Sequence, residues 1–451
     1  MQRPLVVVVM VVLALGLAPA LALEHGKRSA QDSRGLVSPD QQLGKSFRVS
    51  ADDLPAPHAT PAATNPARSL PFKGQTPKLP EGFTATLFAK LQHPRRMLVL
   101  PNGDIVVAEQ QPGHLTLLRV GADGKAQNLG HPAQGFNEPY GLAWRDGEIL
   151  VADQDGIWRV PHTLSNGRNG QEATANAVSP DERKPSRAVN RQRLLTQKGV
   201  FGIARGHANR PLAIDPKTGA LFVGVGSIGN IGIEPQVKAT IQRFEPDGSG
   251  QTTYVAGVRN PSGLTINPQT GALWAVVQER DGMGDKLVPD FMIRAEAGAF
   301  YGWPYAYTGG HPQPGFASKA PEKVKASRLP DLLFQSHSSA MDLVFYDGGL
   351  FPAEDRGSAF VVLKGSWNRS DPTGYKVVRV PVKDGQLVGS YENFMTGFWV
   401  SGRTRAEVWG RPAAIAVGKD GALFVADDLA GTIWRVTYDG PRRRGGSDGS
   451  N

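Results

Sequence analysis

The 451-residue sequence contains no cysteine. This absence excludes a disulfide framework, a zinc site with cysteine ligands and haem attachment through C-x-x-C-H. Long amphipathic helical patterns are also scarce, so the sequence offers little sign of a helical bundle. The stability of the folded chain must therefore come from the packing of its apolar side chains.

Glycine and proline are abundant, with 54 and 35 copies. They separate short apolar runs at motifs such as "PNGD", "RDGE", "DPKTG", "NPQTG" and "GKDG". Short apolar runs broken by tight turns are typical of many short strands. The length allows two or three ordinary domains or one large all-β domain.

The N-terminal segment has the build of a secretory signal peptide over residues 1–22. Arg3 precedes an apolar stretch, and small residues follow at Ala18, Ala20 and Ala22. The alternative is a membrane anchor, which needs about 20 apolar residues, and this stretch barely reaches that length. The sequence therefore predicts an exported, periplasmic protein without an integral membrane segment after cleavage.

Two segments read as disordered. Residues 23–78 are rich in proline, alanine and serine, which predicts a mobile spacer, and residues 439–451 resemble it. The folded part should then span residues 79–438. The formal charge of +9 suits acidic partners, but its basic residues are scattered and the protein is predicted to be exported, so we expect no nucleic acid partner.

One pattern recurs six times along the folded part: an apolar run, a turn with Gly or Asp, and a second apolar run. The copies cover residues 97–109, 141–153, 211–225, 263–277, 342–365 and 414–427. Such a repeat predicts an all-β fold, a six-bladed β-propeller. The run at residues 82–90 is expected to pair with the last strand and close the ring. Two stacked sandwiches are the alternative, which explains the strands but not the repeat.

Aligned on the repeat, polar residues precede the first strand of several copies. Equivalent positions in a propeller converge on one mouth of the central channel, where such residues would suit a small anionic ligand. The alternative is that they cap strand ends and face water, and His207 alone stays ambiguous. The aligned positions are His93, Asn137, His207, Arg259, Ser338 and Gly410, followed by Pro94, Glu138, Ala208, Asn260, Ser339 and Arg411.

Three motifs in order carry a resemblance to a known family. They are "RNP" at 259–261, "ERDGMGD" at 279–285 and "YGWP" at 301–304. With the segments around them, residues 80–438 resemble the soluble glucose/sorbosone dehydrogenases, six-bladed propellers that oxidise sugars with pyrroloquinoline quinone (PQQ) and calcium. The run "GSWNRSDPTGYKVVRV" resembles the sorbosone branch.

The resemblance implies a role for each matching residue. His207 matches the base that takes the proton from the sugar C1 hydroxyl while hydride leaves C1 for the quinone. Arg259 matches the cation that polarises the quinone oxygen. Other positions that match cofactor contacts are Asn137, Asn260, Lys364 and Arg411, with Arg403 or Arg405 as substitutes for Arg411. Calcium would be bound by the backbone carbonyls of Arg280 and Asp281, with Asp285 nearby.

Some features qualify this interpretation. Glu138 departs from the family pattern and would repel an anion unless it points away or pairs with an arginine. The "YGWP" motif should shape the pocket wall or belong to ordinary packing. Without a haem motif, electrons must leave to an external quinone, cytochrome or dye. The alternatives are a calcium-dependent propeller lactonase or esterase and a non-catalytic exported propeller that binds a protein or glycan.

Overall fold

The computed structural model describes residues 38–164, 192–383 and 385–440. The predicted signal peptide and residues 441–451 of the predicted tail lie outside them. The described chain is nearly all β, with one α-helix at Pro321–Ala326. No helix in these ranges has the length and apolar character needed to cross a membrane. The short 3-10 helices are Pro39–Gln41, Ala51–Asp53, Ala317–Lys319 and Ala353–Asp355.

Six antiparallel sheets follow one another along the chain, and we number them 1 to 6. Sheet 1 contains Pro94–Val99, Ile105–Glu109, His114–Val120 and Ala126–Asn128. Sheet 2 contains Gly141–Arg145, Glu148–Ala152, Ile157–Pro161 and Arg193–Leu194. Sheet 3 contains Leu212–Ile214, Leu221–Val225, Thr240–Phe244 and Thr252–Ala256, with Ala299–Phe300 added in parallel.

Sheets 4 to 6 repeat this order. Sheet 4 contains Asn260–Ile266, Leu273–Gln278, Phe291–Arg294 and Leu332–Leu333. Sheet 5 contains Ala340–Phe345, Ala359–Leu363, Lys376–Val380 and Tyr391–Met395, with Ser46–Phe47 at its edge. Sheet 6 contains Pro412–Val417, Leu423–Asp427, Thr432–Tyr438 and Phe83–Lys90. Three smaller sheets complete the described strands. One has three strands, in the order Arg68–Ser69, Glu407–Val408 and Trp399–Ser401. The other two have two strands each: Ala306–Tyr307 with His311–Pro312, and Val382–Lys383 with Gln386–Leu387.

The first two strands of each sheet coincide with one copy of the repeat. A short turn joins them in every sheet except sheet 5, where residues 346–358 form a longer connection with the 3-10 helix Ala353–Asp355. In sheet 1 the turn uses Gly103 at φ +93°, a conformation that glycine adopts without strain. Its backbone N–H donates to the carbonyl of Leu100 at 2.8 Å. The turn motifs seen in the sequence therefore become hairpin turns between consecutive strands.

The apolar core is divided among successive sheets. Val107 of sheet 1 packs in one cluster with Phe424 of sheet 6, and Leu117 of sheet 1 packs in another with Ile149 of sheet 2. Further clusters join sheets 2 and 3, 3 and 4, 4 and 5, and 5 and 6. The first strand of each sheet contacts the first strand of the next, including sheet 6 against sheet 1. Each sheet thus buries both of its faces against its neighbours.

The N-terminal strand Phe83–Lys90 pairs antiparallel with Thr432–Tyr438, as the sequence predicts. Thr86 lies opposite Arg435 in this register. Sheet 6 therefore combines one outer strand from residues 83–90 with three strands from residues 412–438. This pairing covers the edge that the last strand would otherwise leave open.

The prediction of a disordered spacer over residues 23–78 is wrong for residues 38–78. This segment, which we call the N-terminal arm, pairs with the outer strand of sheet 5 through Ser46–Phe47 and with the strand Glu407–Val408, in parallel, through Arg68–Ser69. Average composition missed the arm because a few side chains, among them Phe47 and Phe72, anchor it to the core. Residues 23–37 lie outside the described residues.

A buried ion pair fixes the start of the arm. The Lys376 side chain is fully buried in sheet 5, and its Nζ donates to Asp40 Oδ2 at 2.9 Å and to the Asp40 carbonyl at 3.0 Å. Asn393 also donates to the Asp40 carbonyl at 2.7 Å. A buried ammonium without such partners would be costly, so the arm is part of the folded unit.

Polar side chains fill the centre, where the first strands of the sheets meet. Arg96 of sheet 1 pairs with buried Asp342 of sheet 5 and donates to the Leu264 carbonyl of sheet 4 at 2.8 Å. Tyr140 donates to the Ser262 carbonyl at 2.8 Å. At Gly141 a Cβ atom would lie 2.2 Å from the Arg210 carbonyl oxygen of sheet 3. These contacts across the centre hold the sheets together.

Candidate active site

His207 lies on the segment that leads into the first strand of sheet 3. Its Nδ1 is 2.9 Å from the Ser227 carbonyl oxygen. A carbonyl oxygen can only accept, so Nδ1 carries the proton and the neutral ring keeps its lone pair on Nε2. His207 lines a pocket of about 100 Å³ with Arg259, Glu279, Asp281 and other residues. The geometry presents a fixed imidazole with one basic nitrogen.

Arg259 is held rigidly beside this histidine. Its guanidinium donates to the Asn230 carbonyl at 3.0 Å, to the Asn230 side-chain oxygen at 3.2 Å and to the Glu279 carbonyl at 2.8 Å. Its Nη2 also lies 3.7 Å from Asp281 Oδ2. Trp303, from the "YGWP" motif, donates to the same Asn230 carbonyl at 3.3 Å. The surroundings therefore fix a positive charge at the pocket wall.

Burial and this neighbouring charge keep His207 neutral. Burial lowers the pKa of His207 to about 4, and the Arg259 guanidinium adds to the effect. The hydrogen bond to Ser227 acts in the opposite direction but is the smaller influence. Near pH 7 the His207 imidazole is consequently unprotonated at Nε2 and able to accept a proton.

A second histidine at the pocket, His337, has the opposite character. Its Nε2 donates to the Gly284 carbonyl at 2.9 Å, and its Nδ1 lies 3.7 Å from Asp281 Oδ1 and 3.1 Å from Asn368 Nδ2. Burial opposes the charged form, but the nearby Asp281 carboxylate and the hydrogen bond to the Gly284 carbonyl outweigh it and raise the pKa of His337. The pocket thus pairs a neutral histidine with one that is held near a carboxylate.

Two further carboxyl groups at the pocket are buried. Burial raises the pKa of Glu279 to about 7 and that of Asp290 to about 6. Asp290 accepts the backbone N–H groups of Glu279 at 2.9 Å and of Ser339 at 2.6 Å, so its carboxylate links sheets 4 and 5. Glu279 and Asp281 bring further carboxylate oxygens to the same pocket.

A cluster of cations lies next to this pocket. Arg95 and Lys364 both form ion pairs with Asp428, and His93 Nε2 lies 3.8 Å from the same carboxylate. Arg411 donates to the Gly365 carbonyl at 3.1 Å. Burial, together with the charge of Arg95, lowers the pKa of Lys364. Arg95 and Lys364 share one carboxylate and Arg411 forms no ion pair among the described residues, so the cluster is short of negative charge.

Hydrogen bonds connect the cation cluster to the pocket of His207. The Lys364 backbone N–H donates to the Ser339 carbonyl at 2.9 Å, and Ser339 lines the pocket. Arg95 donates to Asn209 Oδ1 at 3.2 Å, two residues beyond His207. The two groups therefore form one polar surface at the ends of the first strands.

Asn260 lies at the edge of this surface. Its amide nitrogen donates to Gln278 Oε1 at 3.1 Å, whereas its buried Oδ1 has no hydrogen-bond partner among the described residues. At Gly226 a Cβ would lie 2.6 Å from both Asn260 Oδ1 and the His207 side chain. A glycine there lets the histidine and the amide approach each other and leaves one acceptor unsatisfied.

The predicted site residues fall into three groups. His207, Arg259 and Asp281 line the pocket, with Asn260 beside it. Lys364 and Arg411 belong to the cation cluster.

The third group lies apart from the pocket. The Asn137 side chain donates to Asp155 of its own sheet at 3.1 Å. The Arg280 side chain donates to the Asp281 carbonyl at 3.0 Å, and Asp285 Oδ1 accepts the Ser370 backbone N–H at 2.9 Å. Glu138 accepts from Gln154, which itself accepts from Arg210.

Several residues of the site were missed in the sequence. Arg95 directly follows Pro94 of the aligned positions, so extending the alignment by one residue towards the strand would have found it. Asp428 follows Asp427, and the repeat shows a related signal, because a carboxylate ends the second strand in "VAE" at 109, "VAD" at 153 and "VAD" at 427. His337 directly precedes Ser338 of the aligned positions, so extending the alignment by one residue away from the strand would have found it. Asn368 belongs to a loop outside the repeat, so the alignment carried no signal for it.

Comparisons with known proteins identify similar sequences and similar folds. Residues 319–439 match the TrAA12-like family. An uncharacterized protein of Borreliella burgdorferi is 26% identical over 375 residues, which cover 81% of this chain and 91% of the relative. The holo PQQ domain of pyranose dehydrogenase from Coprinopsis cinerea has a TM-score of 0.65 at 20% identity, covering 81% of this chain and 98% of that one.

The PQQ-bound aldose sugar dehydrogenase from Streptomyces coelicolor has a TM-score of 0.51 at 18% identity, and the alignment covers 80% of this chain and 99% of that one. At these identities the structures establish a shared fold. At the level of the fold, the resemblance to PQQ-dependent sugar dehydrogenases is thereby confirmed.

Proposed function

We propose that this chain, which shares its fold and its motifs with the PQQ-dependent sugar dehydrogenases, oxidises a sugar or sugar aldehyde at C1 with PQQ and calcium. Electrons would pass to an external quinone or cytochrome. The observation that carries the proposal is the neutral His207, with its Nε2 lone pair free, beside the fixed Arg259 guanidinium. A base and a fixed cation side by side suit removal of a hydroxyl proton as negative charge develops nearby.

The cation cluster fits a polycarboxylate such as PQQ. Arg95 and Lys364 share one carboxylate, Asp428, and among the described residues the Arg411 guanidinium donates only to backbone carbonyls, so an anionic ligand would supply the missing charge. The unsatisfied Asn260 Oδ1 offers an acceptor at the edge of the same surface. When bound, PQQ would supply the two-electron oxidising power that amino acid side chains lack.

In this proposal His207 accepts the C1 hydroxyl proton at Nε2. Its hydrogen bond to Ser227 fixes the ring in the required tautomer. Arg259 stabilises negative charge without itself transferring a proton, since its guanidinium stays protonated. The exposed Trp367 at the pocket rim offers an apolar face against which a sugar ring can lie.

The carboxylates of the pocket fit a calcium ion. Ca²⁺ prefers several oxygen ligands, and Glu279 and Asp281 bring carboxylate oxygens to the wall beside Arg259. The backbone carbonyls of Arg280 and Asp281 remain our proposed ligands from the family resemblance. Asp285, which caps the backbone of Ser370, would act only by supporting the loop.

We also propose the finer architecture of a six-bladed β-propeller closed by the strand Phe83–Lys90. Six successive sheets and the packing of sheet 6 against sheet 1 support it. Export to the periplasm, with residues 1–22 removed, stays part of the proposal on sequence grounds.

The test uses the chain without residues 1–22, mixed with PQQ and Ca²⁺ and then with aldoses and sugar aldehydes. We expect bleaching of the quinone absorbance and reduction of an artificial acceptor. His207→Ala should bind PQQ nearly as the wild type does but lose most turnover, by about 100-fold or more. Unchanged turnover in this variant would remove His207 from the reaction. His58→Asn, at an exposed histidine of the N-terminal arm, is the matched control.

A calcium-dependent lactonase or esterase is the second candidate, and one observation favours it. The pocket contains Glu279, Asp281, Asp290 and the amide of Asn368, the kind of oxygen set that such an enzyme needs around its metal. Hydrolysis of lactones with Ca²⁺ alone, and no binding of PQQ, would select this function. Inactivity in both assays would favour a non-catalytic binding propeller.

A further inference from the structure

A second group of potential metal ligands lies outside the pocket of His207, on sheet 1. Glu109 ends the second strand, His114 begins the third, and His131 follows the fourth. One ligand atom from each residue lies within 4.8 Å of the others. Among the described residues, this is the one group of three histidine, aspartate or glutamate side chains that can meet around an ion.

The three side chains are already in contact. His114 Nε2 lies 2.9 Å from Glu109 Oε1, and the two imidazole rings lie 4.2 Å apart between centroids. His131 Nδ1 is 3.1 Å from Thr116 Oγ1 and 3.2 Å from the Leu115 carbonyl. Glu109 is buried, while the two histidines are partly exposed, so an ion could reach the group from solvent.

The repeat shows which part of this arrangement is ordinary. In sheets 2 and 6 the equivalent carboxylates, Asp153 and Asp427, accept a backbone N–H from the segment before the first strand. Glu109 does the same, accepting the Gln92 N–H at 2.6 Å. A carboxylate at this position is therefore explained by capping alone.

The histidines of sheet 1 are not explained in this way. The residue opposite Glu109 in the strand register is His114, whereas the residue opposite Asp427 in sheet 6 is Thr432. Sheet 1 thus adds two imidazoles beside a carboxylate whose counterparts in sheets 2 and 6 cap the backbone without them. This departure from the repeat is what needs an explanation.

The chemistry of the set selects a class of ion. Two imidazoles and one carboxylate are common ligands of Zn²⁺, whereas Ca²⁺ and Mg²⁺ prefer oxygen ligands alone. Around a tetrahedral zinc ion the ligand atoms lie about 3.3 Å apart. Glu109 Oε1 and His114 Nε2 are 2.9 Å apart without an ion, so the two would separate slightly on binding. His131, whose ligand atom lies within 4.8 Å of theirs, would move closer as the third ligand and leave the fourth position to water.

We propose that Glu109, His114 and His131 form a Zn²⁺ site on sheet 1. This site is independent of the proposed sugar oxidation and would stand if that proposal failed. The ion would affect the stability of the segment before the first strand, because Glu109 also holds the backbone of Gln92, which directly precedes His93 of the cation cluster. A bound ion would tie the ends of three strands to that segment.

The test measures binding of Zn²⁺ itself to the chain without residues 1–22 and without a histidine tag, after EDTA treatment and dialysis. We expect one equivalent of Zn²⁺ by calorimetric titration and a rise in the unfolding temperature with added Zn²⁺. Co²⁺ in its place should give the intense visible absorption of four-coordinate cobalt. His114→Thr, which installs the residue that sheet 6 carries, and His131→Gln should each weaken binding by about tenfold or more.

The control is His311→Gln, which changes a histidine far along the chain from this group and should leave binding unchanged. Equal Zn²⁺ affinity in the wild type, His114→Thr and His131→Gln would overturn the proposal, as would a wild type that binds no stoichiometric Zn²⁺. If His114→Thr fails to fold, His131→Gln decides alone, because the contacts of His131 are made to Thr116, Leu115 and the His114 ring.

Discussion

The low pKa of His207 makes a quantitative prediction about stability that does not depend on any cofactor. The unfolded chain binds a proton at this histidine near pH 6.5, whereas the folded protein does so only near pH 4. Acidification therefore favours the unfolded chain within this window. From pH 7.5 to pH 5, His207 should remove about 2 kcal/mol of the free energy of unfolding.

The perturbation is His207→Gln, whose amide can still donate to the Ser227 carbonyl but cannot titrate. Glu279 and Asp290, whose pKa values are raised, have the opposite effect on stability, but they are present in both proteins. The difference between wild type and variant therefore isolates His207.

The assay is urea unfolding of the metal-free and PQQ-free proteins at pH 7.5 and pH 5. The wild type should lose about 2 kcal/mol more than His207→Gln between these pH values. His58→Asn, on the exposed part of the N-terminal arm, should follow the wild type. Equal pH dependence in the wild type and His207→Gln would refute the burial of a neutral His207 and, with it, the reasoning that leaves Nε2 as a base.

Three other outcomes are expected. Lys364→Gln should weaken PQQ binding by about 10- to 100-fold in an absorbance titration, because a charge-assisted contact to a carboxylate is lost. Asp40→Ala should lower the free energy of unfolding by about 3 to 5 kcal/mol in urea, because it leaves the Lys376 ammonium buried and unpaired. Gly141→Ala should cost about 3 kcal/mol in the same assay, because its methyl group would meet the Arg210 carbonyl.

Each of these outcomes has its own check. Lys419→Gln removes a surface lysine and should leave PQQ affinity unchanged. Adding Lys376→Met to Asp40→Ala should recover much of the lost stability, since no buried charge then remains. Gly232→Ala, where a Cβ would meet nothing within 4 Å, should be neutral. Normal stability of Asp40→Ala would mean that the arm detaches freely.

The repeat made the fold predictable, because the six copies fix where strands begin and which ends meet. It also placed His207 and Arg259 together, since both precede a first strand at equivalent positions. The prediction weakened where contacts depend on loops outside the repeat. His337 reaches the pocket through a hydrogen bond to Gly284, and no spacing in the sequence relates these two residues.

The N-terminal arm was mispredicted for a different physical reason. Composition averages a segment, but a few buried contacts suffice to hold an extended chain, as Asp40 does with Lys376. Such contacts join residues more than 300 positions apart, so no local sequence pattern predicts them. Asn137 shows a different limit of the alignment. An equivalent position in the repeat does not fix the direction of the side chain, and the Asn137 side chain turns to Asp155 of its own sheet.

The pairing of Phe83–Lys90 with Thr432–Tyr438 has a consequence for how the protein is made. The strand Phe83–Lys90 must wait for the strand Thr432–Tyr438, since Thr86 and Arg435 become partners only when nearly the whole chain is present. Contacts over such separations form slowly. A polypeptide emerging from the ribosome therefore cannot complete sheet 6 early, and under the export that we propose this delay would keep the sheet open while the chain passes through a secretion channel.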